Sequence, residues 1–198
     1  MSLLFESIKL ENGEYSNLFY HEQRMNRSLK ALCGLQADID LKETLKNAKT
    51  PEEGLYKCRI LYDDRSKMIE FVPYEVRPVR TLRIIEHDGI SYEYKYNDRN
   101  AINRLFELRK NCDDILIVKF GMVTDSSIAN IVFKRDKKWY TPWAPLLKGT
   151  MRSKLLEMKL IQEEEIRVKE IYTFESFKLI NAMVEFESGE LDVSTIVF

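Results

Sequence analysis

Arg24 is the first side chain whose position suggests chemistry. It follows His21 by three residues, so both side chains would lie on one face of the first turn of a helix. An arginine in that position could bind a phosphate through two parallel hydrogen bonds. The alternative is a solvated arginine beside Glu22, the commoner environment for this residue type. On this segment alone both interpretations stay open.

Lys95 is the second candidate. It lies in an alternating run, and a strand there would place Tyr94 and Tyr96 on one face and the lysine on the other. A lysine held among aromatic and apolar groups can lose its charge near neutral pH and attack a carbonyl carbon. Taken alone, however, a lysine in an alternating strand is more often a surface residue.

Asp125 follows a strongly apolar segment and begins a polar one that ends at Asn130. Its carboxylate, beside the hydroxyls of Ser126 and Ser127, could pair with a protonated ring nitrogen. An aspartate at a chain bend more often stabilises the turn through its own backbone, which is the alternative.

A predicted helix begins at the segment Gly149, Thr150, Met151 and Arg152. Main-chain N–H groups at the start of a helix are suited to bind a phosphate. A glycine turn that simply precedes a helix is the other interpretation.

The elements that would position these residues occur in clusters, which favours an α+β fold over a doubly wound parallel sheet. Strands are predicted at residues 3–10, 15–20, 56–62, 68–76, 79–86, 90–96, 115–119, 131–133 and 139–140, and helices at 21–32, 41–48, 99–110 and 151–160. Pro78 interrupts the strand pattern. The sequence therefore predicts a small α+β domain over residues 1–78 and a second α+β domain, with a curved, barrel-like sheet, over 79–198.

Composition excludes several classes of protein. The 198 residues carry 31 basic and 32 acidic side chains, so the formal charge of −1 gives no basis for binding nucleic acid or an anionic membrane. No apolar stretch approaches the roughly 20 residues of a membrane span, and a cytoplasmic location is the simplest expectation. With only two histidines and three separated cysteines, no metal site is expected.

Taken in order, these segments resemble the class IV aminotransferase family, also called fold-type IV pyridoxal phosphate enzymes. The similar motifs are H-x-x-R at His21–Arg24, a lysine followed by arginine at Lys95 and Arg99, an acidic residue and asparagine at Asp125 and Asn130, Y-T-P at Tyr140–Pro142, G-x-x-R at Gly149–Arg152, and a late asparagine at Asn181. The resemblance covers nearly the whole chain, and the part from Lys95 to Arg152 is the most specific.

The resemblance implies a cofactor, pyridoxal 5'-phosphate, bound between the two domains. Lys95 would hold it as a Schiff base and move protons at the substrate's α-carbon, and Asp125 would keep its ring nitrogen protonated. Arg24 and the backbone around Gly149, Thr150 and Met151 would bind its phosphate. The remaining implied residues are Ser126, Ser127 and Asn130 in the cofactor pocket and Asn181 on the substrate side.

The sequence departs from the family pattern at two of these positions. Asp125 replaces the usual glutamate and is one methylene shorter, so the ring would have to lie closer or be bridged by water. Thr150-Met151 replaces the commoner Ile-Thr, which removes a hydroxyl at the second position but keeps the backbone donors. The chain is also shorter than typical members of the family.

Within the family, the Lys95–Arg99 spacing, the Gly149–Arg152 segment and Asn181 are more similar to the aminodeoxychorismate lyase branch. That reaction would convert 4-amino-4-deoxychorismate to 4-aminobenzoate, a folate precursor, and pyruvate. Transamination of branched-chain or D-amino acids is the alternative, and a relative that binds a ligand without catalysis is a second one. The resemblance also implies a homodimer acting on a small amino substrate.

Overall fold

The computed structural model describes residues 3–187 and 189–198 and divides into two compact units. Unit 1 comprises the chain up to Val76 together with Tyr94–Asp98, and unit 2 comprises Arg77–Glu93 and Arg99–Phe198. The chain therefore leaves unit 1 after Val76 and returns to it for the five residues around Lys95. The division into residues 1–78 and 79–198 stays a prediction about domains, and it did not include this return.

Unit 1 is built on an antiparallel sheet. Its elements are β1 (Leu4–Glu11), β2 (Glu14–Tyr15), α1 (Leu18–Cys33), α2 (Leu41–Leu45), β3 (Leu55–Tyr62) and β4 (Lys67–Pro73). The strand order is β2-β1-β3-β4. Leu4, Ile8 and Leu10 alternate along β1, are fully buried, and form a core with Met25 and Leu29 of α1. The α1 side of this sheet is therefore its inner face.

The start of α1 differs from the prediction. Asn17 adopts a left-handed conformation with φ of 58° and is the N-cap residue, so the helix begins at Leu18. The strand predicted at residues 15–20 is therefore wrong beyond Tyr15. The predicted end is close, because Gly34 terminates the helix in a left-handed conformation with φ of 69°.

Unit 2 contains a larger, mixed sheet. Its elements are β5 (Leu82–Glu86), α3 (Asn100–Phe106), β6 (Asp114–Lys119), β7 (Met122–Ser126), β8 (Asn130–Arg135), β9 (Lys138–Pro142), α4 (Thr150–Glu157), β10 (Gln162–Glu164), β11 (Ser176–Ile180), β12 (Leu191–Asp192) and β13 (Ile196–Val197). The main order is β10-β9-β8-β7-β6-β5-β13, with β11 paired to β8 and β12 to β11. Clustered strands and few helices confirm the α+β prediction.

The segment around Lys95 is irregular, so the strand predicted at residues 90–96 is wrong. Tyr96 alone makes an isolated antiparallel bridge, with Leu4 of β1. The backbone oxygen of Lys95 accepts a hydrogen bond from the Phe5 amide at 3.0 Å, and the Asn97 amide donates to Leu3 at 2.8 Å. These bonds attach the segment to the edge of β1.

Within residues 3–187 and 189–198, no helix combines the length and apolar character needed to cross a membrane. In the same part of the chain, no group of three or more His, Cys, Asp or Glu side chains is placed to hold a metal ion.

Candidate active site

Arg24 is buried and paired with a carboxylate that the sequence analysis did not single out. Its Nε donates to Glu6 Oε1 at 2.9 Å, and its Nη2 donates to Glu6 Oε2. His21 Nδ1 lies 2.6 Å from Glu6 Oε2. All three side chains are almost completely inaccessible to solvent. The solvated arginine beside Glu22 is therefore not what the structure contains, because Glu22 instead accepts a hydrogen bond from the Leu41 amide.

The protonation states of this cluster follow from burial and from its own charges. Burial raises the pKa of Glu6, but the charge of Arg24 and the hydrogen bond from His21 outweigh burial and lower the pKa to about 2. Burial lowers the pKa of His21 despite the nearby carboxylate. A neutral His21 donates from Nδ1 to Glu6, and its Nε2 has no hydrogen-bond partner among the described residues.

Lys95 lies next to the same strand. Its Nζ is 4.7 Å from the centre of the Phe5 ring, so its ammonium group lies over an aromatic face. In unit 1, Arg24 contacts Glu6 and Lys95 contacts Phe5. Phe5 and Glu6 are consecutive residues of β1, so their side chains point to opposite faces of the sheet.

In unit 2, Asp125 and Asn130 are directly paired between β7 and β8. Asn130 Nδ2 donates to Asp125 Oδ1 at 2.7 Å, and the Leu147 amide donates to Asp125 Oδ2 at 2.9 Å. Burial raises the pKa of Asp125 to about 6, and these hydrogen bonds offset only part of that effect. A buried carboxyl of this kind would be stabilised in its charged form by a cationic partner.

Asp125 does not hold the turn that follows it. Ser126 does so, because its Oγ accepts hydrogen bonds from the Ile128 and Ala129 amides at 3.3 and 3.0 Å. The backbone oxygen of Ser127 accepts from Arg99 Nη2 at 2.6 Å. Asp125 therefore accepts hydrogen bonds from Asn130 and the Leu147 amide instead of stabilising the turn.

Asn181 reaches the same turn from the end of β11. Its Nδ2 donates to the Ile128 backbone oxygen at 3.4 Å, while its Oδ1 accepts from the Met183 and Val184 amides. The structure thus brings Asn181 to the turn that carries Ser126 and Ser127. Its assignment to the substrate side stays a prediction.

The start of α4 presents main-chain N–H groups that precede its first helical hydrogen bond. Gly149 is the N-cap residue in an extended conformation, and no side chain caps the helix. The Ser153 amide makes the first helical bond, to Gly149, so the amides of residues 150–152 precede it. The buried Thr150 Oγ1 has no hydrogen-bond partner among the described residues. The Met151 side chain packs in the core, so only its amide could reach a ligand.

We predict that Gly149→Ala will disturb both the Asp125–Asn130 pair and the start of α4. A Cβ at position 149 would lie 2.0 Å from Asn130 Oδ1, so the Asn130 side chain must leave the position in which it donates to Asp125. The φ of −68° is favourable for alanine, so the cost comes from this collision alone. We expect a loss of about 1–3 kcal/mol in the free energy of unfolding, measured by urea denaturation.

The matched control is Gly189→Ala, because a Cβ there meets nothing within 4 Å. Equal stabilities of the two variants would contradict the predicted collision.

Comparison with known proteins assigns the chain to a family. The sequence model of the family "Amino-transferase class IV" matches residues 94–187. An uncharacterized protein of Haemophilus influenzae is 43% identical over 182 residues, which cover 91% of this chain and 97% of that protein. A Schizosaccharomyces pombe protein named "Putative aminodeoxychorismate lyase" is 38% identical over 83% of this chain and 77% of its own length.

Solved structures agree with this placement. The crystal structure of a Haemophilus somnus protein, described as a "putative 4-amino-4-deoxychorismate lyase", is 37% identical with a TM-score of 0.86, over 92% of this chain and 97% of that chain. A hypothetical aminotransferase of Mycobacterium tuberculosis in its PLP-bound form has a TM-score of 0.77 at 18% identity, over 98% and 81% of the two chains. The second similarity shows the fold alone.

These relatives establish that the chain belongs to the class IV aminotransferase family. Its fold is that of the fold-type IV enzymes, as the resemblance implied. Pyridoxal 5'-phosphate, the predicted cofactor, is the cofactor of this family. The roles of individual residues stay predictions.

Proposed function

We propose that this protein is a pyridoxal phosphate-dependent lyase that converts 4-amino-4-deoxychorismate to 4-aminobenzoate and pyruvate. The observation that carries the cofactor assignment is Asp125, a buried carboxyl with a raised pKa, held in place by Asn130. The choice of lyase is supported by the names of the Schizosaccharomyces and Haemophilus somnus relatives and by the Lys95–Arg99 spacing.

The residues of each unit fit the cofactor. Asp125 would hold the protonated ring nitrogen, because a positive charge there offsets the cost of burying the carboxylate. The amides at the start of α4 and the unpartnered hydroxyl of Thr150 would bind phosphate oxygens. Gly149 is required at the N-cap because Asn130 occupies the space of its side chain.

Arg24 would contribute directed hydrogen bonds to the phosphate rather than an excess of charge. Glu6 balances its positive charge and takes two of the five guanidinium N–H donors. The orientation of the guanidinium group is therefore fixed before the phosphate binds. We infer that the partial positive charge at the start of α4 supplies much of the electrostatic attraction.

When bound, pyridoxal phosphate supplies an electron sink for negative charge that develops at the substrate's α-carbon. The amine of Lys95 would take a proton from one atom of the substrate and return it to another. In the lyase reaction the ring carbon that bears the amino group loses this proton, and the ring C–O bond to the enolpyruvyl group breaks as the ring becomes aromatic. The proton is delivered to the departing enolpyruvyl group, which is released as pyruvate. Ser126, Ser127 and Asn130 would line the cofactor site.

The test is to supply the cofactor-loaded protein with freshly generated aminodeoxychorismate and to measure both products. We expect 4-aminobenzoate and pyruvate in equal amounts. Yellow protein that gives neither product would keep the cofactor assignment and favour transamination of branched-chain or D-amino acids, to be sought with a panel of amino and keto acids. Absence of both activities would favour a non-catalytic, ligand-binding relative. The proposal includes a homodimer, and a stable active monomer would count against it.

A further inference from the structure

The outer face of the unit 1 sheet, opposite α1, is rich in basic side chains. Residues paired directly across antiparallel strands point to the same face, and the register pairs Lys9 with Lys57 and Ser7 with Arg59. Glu11 pairs with Lys9 at 2.8 Å, and Glu70 pairs with Arg59 at 2.8 Å. This strand pairing concentrates basic side chains on one face of the sheet.

Arg59 and Lys95 meet on this face at a single aromatic ring. The Arg59 Cζ is 5.2 Å from the centre of the Phe5 ring, and the Lys95 Nζ is 4.7 Å from the same centre. The Phe5 ring is buried, whereas 31% of the Arg59 side chain is exposed. The Arg59 side chain is thus partly exposed beside the amine that the proposed reaction uses.

The position of the guanidinium group is fixed from two sides. Arg59 Nη1 donates to Glu70 Oε1 at 2.8 Å, and Nη2 donates to Asn97 Oδ1 at 2.5 Å. These bonds use two of the five N–H donors of an arginine, so donors are left for a further acceptor. A rigid, partly exposed guanidinium group is well suited to bind a carboxylate with two parallel hydrogen bonds.

We propose that Arg59 binds a carboxylate of the substrate and thereby orients the substrate toward Lys95. This inference rests on the proposed function and specifies the substrate class, an amino compound with two carboxylates. Each product of the proposed reaction, 4-aminobenzoate and pyruvate, contains one carboxylate, so the substrate contains both. Arg59 would hold one of them beside Phe5.

The competing explanation is that Arg59 only holds the Lys95 segment through Asn97. Two substitutions separate these explanations. Arg59→Gln removes the carboxylate-binding group, whereas Glu70→Gln removes a competing negative charge beside the guanidinium group and keeps an oxygen that can accept from it. A carboxylate site predicts opposite effects of these variants on carboxylate binding, and a purely structural role predicts loss in both.

The experiment is isothermal titration of the cofactor-loaded protein with 4-aminobenzoate, with pyruvate, and with aniline, which lacks the carboxylate. We expect Arg59→Gln to weaken binding of at least one product by about 10- to 100-fold, as for charge-assisted hydrogen bonds, without changing aniline binding. Glu70→Gln should bind that product as tightly as the wild type or more tightly. Arg65→Gln, which removes the same charge from a side chain that is 89% exposed, is the matched control.

Kinetics provide the second measurement. Arg59→Gln should raise KM for aminodeoxychorismate by a similar factor with a smaller change in kcat, because the group acts on binding. Unchanged binding of both products in Arg59→Gln, or equal loss for aniline, would overturn the inference while leaving the lyase assignment intact. Weakened product binding in a protein without lyase activity would support the carboxylate site and contradict the proposed reaction.

Discussion

Replacing Lys95 by alanine is expected to abolish the yellow colour of the cofactor-loaded protein and nearly all of its turnover. The amine of this residue would both attach the cofactor and move protons, and loss of a proton-transferring group alone costs about 10²- to 10⁴-fold in rate. The backbone of the segment should be unaffected, since its bonds to β1 come from main-chain atoms of Lys95 and Asn97. The measurements are the visible absorption spectrum and the rate of 4-aminobenzoate formation.

The control for this variant is Lys30→Ala, which removes an exposed lysine from α1. It should keep the spectrum and the activity of the wild type. A Lys95→Ala protein with an unchanged visible spectrum would refute the assignment of Lys95, whatever the reaction proved to be.

The largest effect on stability is expected from Glu6→Gln. The substitution keeps the shape of the side chain but leaves Arg24 buried without its counter-charge, which typically costs about 3–5 kcal/mol. The pKa of Glu6 in the folded protein, about 2, is below its ordinary value of 4.5. The stabilisation is therefore complete above about pH 4.5 and is lost as the pH falls toward 2.

This pH dependence distinguishes a charge effect from a packing effect. Urea denaturation of the wild type and of Glu6→Gln should show the full difference at pH 7 and a smaller one at each step below pH 4.5. Glu43→Gln is the control, because its ion pair with Lys46 is exposed and should contribute little. A stability difference that does not change with pH would show that the charge of Glu6 is not what stabilises the cluster.

Local sequence patterns predicted much of the fold because each depends on nearby residues. The helix predicted at residues 21–32 corresponds to α1, in which Met25 and Leu29 lie on the buried face and Gly34 ends the helix. The strands predicted at residues 56–62 and 68–76 correspond to β3 and β4, which pair antiparallel. The start of α1 was missed because a left-handed Asn17 is not encoded in periodicity, and neighbouring residues also fit a strand.

The Lys95 segment shows a different limit of sequence patterns. Tyr92, Tyr94 and Tyr96 alternate as in a strand, yet Tyr92 belongs to unit 2 and the other two to unit 1. The alternation thus runs across residues of two separate units. The pairing of residues 95–97 with β1 joins positions about ninety apart in sequence, so no local pattern could reveal it.

Glu6 was missed although a signal for it existed. It is in phase with Leu4, Ile8 and Leu10, the inner face of β1, and a carboxylate there requires a buried partner. Its partners lie on α1, and only the packing of α1 on β1 identifies them. The motif from His21 to Arg24 contained two of the three members of this cluster, and the strand supplied the third.

The return of residues 94–98 to unit 1 determines which fragment of the protein would contain a complete unit 1. A fragment ending at Val76 would keep β1–β4 but leave the Phe5 amide and the Leu3 carbonyl without their partners. Such a bare strand edge pairs readily with other chains and promotes aggregation. An autonomous version of unit 1 would therefore need Val76 joined to Tyr94 by a short linker, which would also carry Lys95 with its aromatic neighbour into the smallest testable fragment.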